Sequence, residues 1–550
     1  MKTLKIAIAQ LNFTVGALEA NKKKILRAYQ KAAKNNADLV IFSELCVCGY
    51  PPEDLVMRPK FQQACMKMVE DITQATKDSN TAMIIGSPWV DKKNLFNSAF
   101  LIERGQIKAI SHKHDLPNYG VFDEKRVFNM GPLPTPIEWR GVKLGLMICE
   151  DMWNTDLTEP LRGSEILISI NASPFELGKH AKRLERASIQ SRALGLPLIY
   201  VNQCCGQDDL VFDGDSFVLS KSQEMITRLS RSEEAIEFTE WEKDGNEWFC
   251  EPGTMKLYST EEEVVYMAMV MGLREYVEKN NFNGVIVGLS GGIDSALTAA
   301  IAVDALGADK VTAVMMPTRF TSEESLVDAE KCAKKLGLEY HVIPIEDLFL
   351  NYETTLAPIF TGKARDTTEE NLQSRIRGTI LMALSNKFNR MVISTGNKSE
   401  MATGYATLYG DMCGGYSVLK DVYKTQVYKL TNWRNSNKTE NAKGPDGQVI
   451  PQRIITRAPT AELRENQKDE DSLPPYEVLD LILYHLIEQD WPLEAIVREG
   501  YEKETVEKVI RLLYGAEYKR RQSPPGVKIS VKPFSRDRRY PITNGYRGVN

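Results

Sequence analysis

Apolar runs of strand length alternate with amphipathic, helix-length stretches along most of the chain. In the first part the runs are Ile6 to Leu11, Ala37 to Leu45, Ala82 to Trp89, Val142 to Cys149 and Ile166 to Ala172, which predicts an α/β unit from residue 4 to about 220. Between about 222 and 260 the pattern weakens into a polar stretch, with Arg231-Ser232-Glu233-Glu234 and Glu242-Lys243-Asp244-Gly245-Asn246, which reads as a connecting region. The expected domains are therefore 1–255 and 261–550. The second begins with a helix near Glu261, and its strands read Val285 to Leu289, Val311 to Met316, Tyr340 to Ile345 and Met391 to Thr395. Helix-length spacers between them predict a doubly wound parallel sheet, which binds ligands at the carboxyl ends of its strands. The hydrophilic segment 432–452 reads as a mobile surface excursion.

At 550 residues the chain exceeds one ordinary hydrophobic core, in keeping with two units. A net charge of −5 exerts no general pull on nucleic acid or anionic membrane. No run approaches a membrane span, and the N-terminus lacks a cleavage-site pattern and reads as a first strand. Nine cysteines without an export signal read as free thiols in a reducing cytoplasm, and they and the five histidines lack zinc-site spacing. The tail 519–550 carries nine basic residues against the single acid Asp537, and reads as a solvated arm or a strap on a partner subunit.

Ser290-Gly291-Gly292-Ile293-Asp294-Ser295 closes the run Gly284 to Leu289 and opens a helical pattern. Adjacent glycines let consecutive backbone N–H groups face one concavity, two serines add hydroxyl donors, and a helix N-terminus favours negative charge. That is a site for the phosphates of ATP. The Gly-Lys-Ser/Thr ending of the common nucleoside-triphosphatase loop is missing, which fits cleavage that releases pyrophosphate.

In the first unit Cys149 ends the run Lys143 to Ile148, which places a thiol at a strand-to-turn junction. A thiol is mostly protonated at neutral pH and needs a base, and an attacked amide develops an oxyanion that needs a cation or N–H donors. Glu44 ends the run that begins at Val40, and Lys113 is the candidate cation. Singly, each has a bland reading: a small core residue, a capping acid, a surface charge. Together they resemble the Glu-Lys-Cys triad of the nitrilase superfamily over residues 4 to 220, which implies an α-β-β-α sandwich. The stretch 116–124, with Tyr119, resembles its glutaminase branch. The resemblance implies that Glu44 takes the thiol proton, Cys149 attacks the side-chain amide of glutamine, and Lys113 with the N–H of Glu150 holds the oxyanion. It also implies that Tyr119, Glu150, Ser173 and Lys179 or Arg183 hold the amino-acid end of glutamine.

In the second unit the stretches 370–378, 394–400 and 457–463 resemble the NAD synthetase family, a branch of the ATP-pyrophosphatases. With the amidase in front, the whole chain resembles the glutamine-dependent members. The resemblance implies that Asp294 and Glu400 hold Mg²⁺, that Ser290, Gly291, Gly292, Ile293 and Ser295 cradle pyrophosphate, and that Thr395 and Thr460 lie near the nucleotide. Asn371, Arg375, Glu400, Asp411 and Lys424 match positions that contact deamido-NAD or stabilise an adenylate. The implied reaction uses ammonia from glutamine, with ATP, to amidate the nicotinate carboxylate of deamido-NAD, and an internal tunnel would keep that ammonia from protonation. Small-molecule substrates, no nucleic acid, no membrane and a homodimer or larger assembly are expected. Rivals are another amidotransferase with the same loop, such as a guanylate synthetase, a tRNA-modifying module and a non-catalytic sensor.

Overall fold

The computed structural model describes residues 2–257 and 260–546, and the chain divides into two compact units, Met1–Tyr258 and Ser259–Asn550. Unit 1 contains two larger sheets. One has the order Glu247–Cys250, Ala235–Asp244, Lys2–Gln10, Leu39–Ile41, Ala82–Asp91, Asn94–Glu103, Gln106–His112. The other runs Met225–Arg228, Phe217–Leu219, Leu198–Asn202, Ile166–Asn171, Val142–Ile148, Ile137–Trp139. Side-chain alternation decides how they stack. Ile6 and Ile8 join Ile41, Leu146, Ile148, Ile168 and Trp241 in a core shared by both sheets. Ala7 and Ala9 face the other way, onto Ile25, Tyr29 and Ile72 of the helices Leu18–Lys34 and Pro59–Ala75. Ala187 of the helix Lys179–Leu194 packs with Met147, Leu167 and Tyr200 on the outer face of the second sheet. Unit 1 is thus an α-β-β-α sandwich.

Most of the stretch expected to connect the domains, from Met225 to Cys250, belongs to the sheets of unit 1. Met225–Arg228 pairs with Phe217–Leu219, and Ala235–Asp244 pairs antiparallel with the whole first strand, from Lys2↔Lys243 to Gln10↔Ala235. One face of Ala235–Asp244 is partly solvated while Thr239 and Trp241 are buried, so its charged residues conceal a strand.

Unit 2 is built on a parallel sheet ordered Glu339–Val342, Val311–Met315, Val285–Gly288, Met391–Ser394, Tyr416–Ser417. The helix Ile293–Leu306 is buried at every position except Asp294. Two further corrections fall here. Residues 432–452 are not a loose excursion, because Arg434 is fully buried against Asp304 and the chain beyond it buries Val449 and Ile450. The basic tail, as far as residue 546, is not a free solvated arm: Arg520 and Arg538 meet at Glu517, Lys528 pairs with Asp537, and Phe534 joins the helical core. Residues 547–550 of that tail lie outside the described residues. No helix among the described residues is long and apolar enough to cross a membrane.

Candidate functional site

In unit 1 the strand Leu39–Ile41 stops short of Glu44, which lies in a tight turn where Leu45 has φ 46°. Gly86 allows that turn, since a Cβ there would stand 2.3 Å from the Leu45 nitrogen. Glu44 is fully buried, and both of its oxygens accept hydrogen bonds. Asn97 Nδ2 and Lys113 Nζ donate to its Oε1, each at 2.8 Å, and the Ala172 N–H donates to Oε2 at 2.9 Å. Lys113 is fully buried too, and Nζ also donates to Glu124 Oε1 at 2.8 Å. An ammonium has three N–H donors, so two carboxylates leave it one.

Cys149 follows the strand Val142–Ile148 and takes φ 49°, a left-handed conformation uncommon outside glycine. Asp151 sustains it: Oδ2 accepts the Ile148 N–H at 3.0 Å, and Oδ1 accepts those of His114 and Asp115 at 3.0 and 2.8 Å. One carboxylate therefore ties the cysteine turn to the chain just after Lys113. Burial first, and then the negative charge of Glu44, push the Cys149 thiol well above its ordinary range, against the pull of Lys113. Burial pulls Lys113 down, but Glu124 and Glu44 outweigh it and hold the ammonium well above the usual lysine value. Glu124 is raised by burial, with Lys113 opposing. The resting state is a protonated thiol beside a carboxylate base and a fixed cation.

The residues expected at the amino-acid end of glutamine occupy two different shells. Tyr119 is exposed and its hydroxyl donates to both carboxylate oxygens of Glu150, at 3.0 and 3.1 Å. Lys179 lies over the Trp153 ring, 5.2 Å from its centroid, and acts on Glu150. Arg183 is buried. Its N–H groups go to Ser173 Oγ and O, Pro174 O and Asp213 Oδ1, so it shapes the Ser173 turn. Glu124, Asp151 and Asn97 escaped the sequence reading. Glu124 alone carried a signal there, as an acid eleven residues after Lys113.

In unit 2 a cavity of about 310 Å³ opens at the carboxyl ends of the parallel strands. The loop 290–295 forms one wall. Ser290 Oγ lies 3.1 Å from Ser295 Oγ and accepts the Gly292 N–H at 3.3 Å, which curls the loop onto the first turn of the helix Ile293–Leu306. Gly291 has φ 84°, and a Cβ on it would stand 2.4 Å from Ser325 O. Asp294, Thr395, Glu400, Asp411, Lys424 and Thr460 line the same cavity, whereas Asn371 and Arg375 do not. Asn371 Oδ1 accepts from Thr407 Oγ1 at 2.8 Å, and exposed Arg375 donates from Nε to Leu408 O at 3.2 Å.

Asp294 is ion-paired with Lys424, and its Oδ1 accepts from Asn397 Nδ2 at 2.9 Å. Glu400 caps its own helix, accepting the Asn397 N–H at 3.0 Å, and burial with repulsion from Asp294 pushes it well above the carboxylate range. Asp469 is likewise raised, by burial first and by Asp294 among its neighbours, and Tyr476 donates to it at 3.0 Å. Asp294 and Glu400 thus act on one lysine, and their hard oxygens suit Mg²⁺, which binds one or two protein carboxylates and completes its shell with phosphate and water. Among the described residues no three ligating side chains cluster closely enough to hold a metal by themselves. Asn397 and Asp469 were not foreseen from the sequence.

The folds and the two sites define an amidase joined to an ATP-dependent synthetase. The carbon-nitrogen hydrolase family profile matches residues 5–242 and the NAD synthase profile residues 265–523. Glutamine-dependent NAD(+) synthetases of Acinetobacter baylyi and Rhodobacter capsulatus are each 44% identical, over 550 and 545 residues, and the matches cover 100% and 99% of this chain and 99% of each relative. The solved Acinetobacter baumannii enzyme, in complex with ADP, is 43% identical with a TM-score of 0.79, and 99% of each chain is covered. The chain belongs to the family of glutamine-dependent NAD(+) synthetases.

Proposed function

We propose that this chain hydrolyses glutamine in unit 1 and uses the ammonia, with ATP, to convert deamido-NAD to NAD in unit 2, releasing AMP and pyrophosphate. The observation that carries the reading is the buried Glu44–Lys113–Glu124 cluster acting on Cys149, in a chain that also holds the 290–295 loop and its cavity. Because the thiol rests protonated, its proton passes to Glu44 as sulfur attacks the amide carbon. The remaining N–H of Lys113, with the Glu150 backbone N–H, receives the oxyanion. Ammonia leaves with the proton held by Glu44, and water then cleaves the thioester, activated by the same carboxylate. Tyr119, Glu150, Ser173 and Lys179 orient glutamine, and Arg183 keeps Ser173 in place.

In unit 2 the loop amides and serines bind the phosphates while the nicotinate carboxylate attacks the α-phosphate and pyrophosphate leaves. Ammonia then displaces AMP from the adenylate. Asp294 and Glu400 would hold Mg²⁺, which when bound neutralises phosphate charge. Thr395 and Thr460 serve the nucleotide, and Asn371, Arg375, Asp411 and Lys424 the second substrate. The test is incubation with glutamine, ATP, Mg²⁺ and deamido-NAD, with NAD, glutamate and AMP measured together. Absence of NAD, or NAD without AMP, would overturn the reading.

A homodimer, or a larger assembly, is part of the same proposal. Leu348, Leu350 and Tyr352 on the helix Glu346–Leu356, and Met382 and Phe388 on Thr367–Phe388, are exposed on unit 2, which supports a second copy covering them. Light scattering that finds only monomer would remove it.

A further inference from the structure

The helix Thr367–Phe388 turns Ser374, Arg377, Gly378 and Leu381 toward the cavity of unit 2, at helical spacings of three and four, and turns Arg375 outward. Arg377 Nε donates to Met316 O at 2.9 Å, just past the strand Val311–Met315, which anchors the guanidinium at the carboxyl end of the sheet. Among the described residues its two Nη groups have no hydrogen-bond or ion-pair partner. Glu462 acts on it from a distance, but the oxygens of that acid are engaged by Ser322, Ser325 and Arg457. Loss of hydration pulls Arg377 down to about 10. A cation withdrawn from water without a counter-ion costs folding free energy, and a fork of open donors on a cavity wall is complementary to a phosphate.

We propose that Arg377 binds a phosphate of the nucleotide, opposing the backbone amides of the 290–295 loop. The proposal rests on reading the cavity as the ATP site, and it gives Arg377 a task separate from that of Arg375. Arg377 is exposed enough to meet a ligand yet held by Met316, so the nucleotide finds its guanidinium already oriented.

The test measures ADP and adenosine binding by calorimetry to the full chain, as wild type, Arg377→Gln and Arg377→Lys, together with thermal unfolding without nucleotide. ADP affinity should fall on the order of ten- to a hundredfold in Arg377→Gln, with partial recovery in Arg377→Lys, because hydrogen bonds between charged groups are worth that much. Adenosine should bind the two variants as it binds wild type. The melting temperature of Arg377→Gln without nucleotide should equal or exceed that of wild type, since an uncompensated charge is gone, whereas loss of a structural arginine would lower it. Unchanged ADP affinity, an equal loss for ADP and adenosine, or weaker ADP binding only in a destabilised variant would each overturn the proposal. Failure of wild type to bind ADP would instead overturn the ATP reading of the cavity and carry this assignment with it.

Discussion

Replacing Lys113 by methionine keeps most of the side-chain volume and removes the charge between Glu44 and Glu124. Two effects follow, and they differ in their dependence on pH. The oxyanion loses its cationic donor, which typically costs about 10²- to 10³-fold in rate. Separately, Glu44 Oε1 and Glu124 Oε1, each 2.8 Å from Nζ, can be no more than about 5.6 Å apart. With an effective dielectric constant of about 20, the two carboxylates repel by about 3 kcal/mol in either protein. In wild type the ammonium 2.8 Å from each more than offsets this, and without it the repulsion is felt in full, on the order of two pK units or more. The pair then holds a proton to higher pH, and a protonated Glu44 cannot serve as base. Glutamate release should therefore be about a hundred- to a thousandfold slower at pH 8, and the acid limb of the pH profile should move upward by about two units or more. Synthesis driven by ammonium chloride in the same protein reports that unit 2 is intact. Glutamine turnover within tenfold of wild type at pH 8 would remove Lys113 from the chemistry, and an unmoved acid limb would refute the electrostatic reasoning.

Four further outcomes are expected. Cys149→Ala should abolish glutamine-driven NAD formation and retain formation from ammonium salts; continued use of glutamine would contradict the division of labour. Asp294→Ala should stop synthesis from either nitrogen source while glutamate release continues, as followed by AMP and glutamate assays. Glu124→Gln keeps Oε1 as acceptor for Lys113 and Tyr50, and because burial raises Glu124 in the folded state, the stability its carboxyl contributes is complete below the ordinary glutamate value and is lost as pH rises through the raised one. The stability of wild type relative to Glu124→Gln, from urea unfolding between pH 4 and 8, should accordingly decline with pH. Arg434→Met leaves Asp304 buried with Tyr266 as its one remaining side-chain partner among the described residues and should cost about 3–5 kcal/mol in the unfolding of unit 2.

What could be read from the sequence was whatever a short stretch of chain decides. Cys149 and Glu44 stand where apolar runs break, and the 290–295 loop declares itself by glycine and serine between a strand and a helix. Asp151 could not be found that way, since its meaning comes from amides 36 and 37 residues distant. Arg434 misled for the same reason: a charged residue in a polar stretch reads as surface until Asp304, 130 positions away, closes on it. The strand Ala235–Asp244 was missed because hydropathy weighs its solvated face equally with Thr239 and Trp241. Helical phase explains the arginines, for Arg375 and Arg377 are two positions apart and so point to opposite sides of one helix, which only the packing of that helix can resolve.

Charge count separates the two sites more sharply than any motif does. In unit 1, Glu44 and Glu124 enclose Lys113, so at most one negative charge is in excess, and burial keeps even that small by raising Glu124 toward its neutral form. Such a cluster can take up one proton from a thiol and has nothing left over for a divalent ion. In unit 2, Lys424 acts on Asp294, Glu400 and Asp469, which leaves two formal negative charges in excess when all three acids are ionised. Burial raises Glu400 and Asp469, with repulsion from Asp294 adding to it, and a divalent ion of the kind proposed for this site would supply opposing charge there. If it does, Mg²⁺ should bind more weakly to Asp294→Ala than to wild type and release fewer protons on binding, both measurable by calorimetry in buffers of different ionisation enthalpy. Equal affinity and equal proton release in the two proteins would mean that the excess charge is satisfied in some other way, and that Asp294 is needed only to hold Lys424.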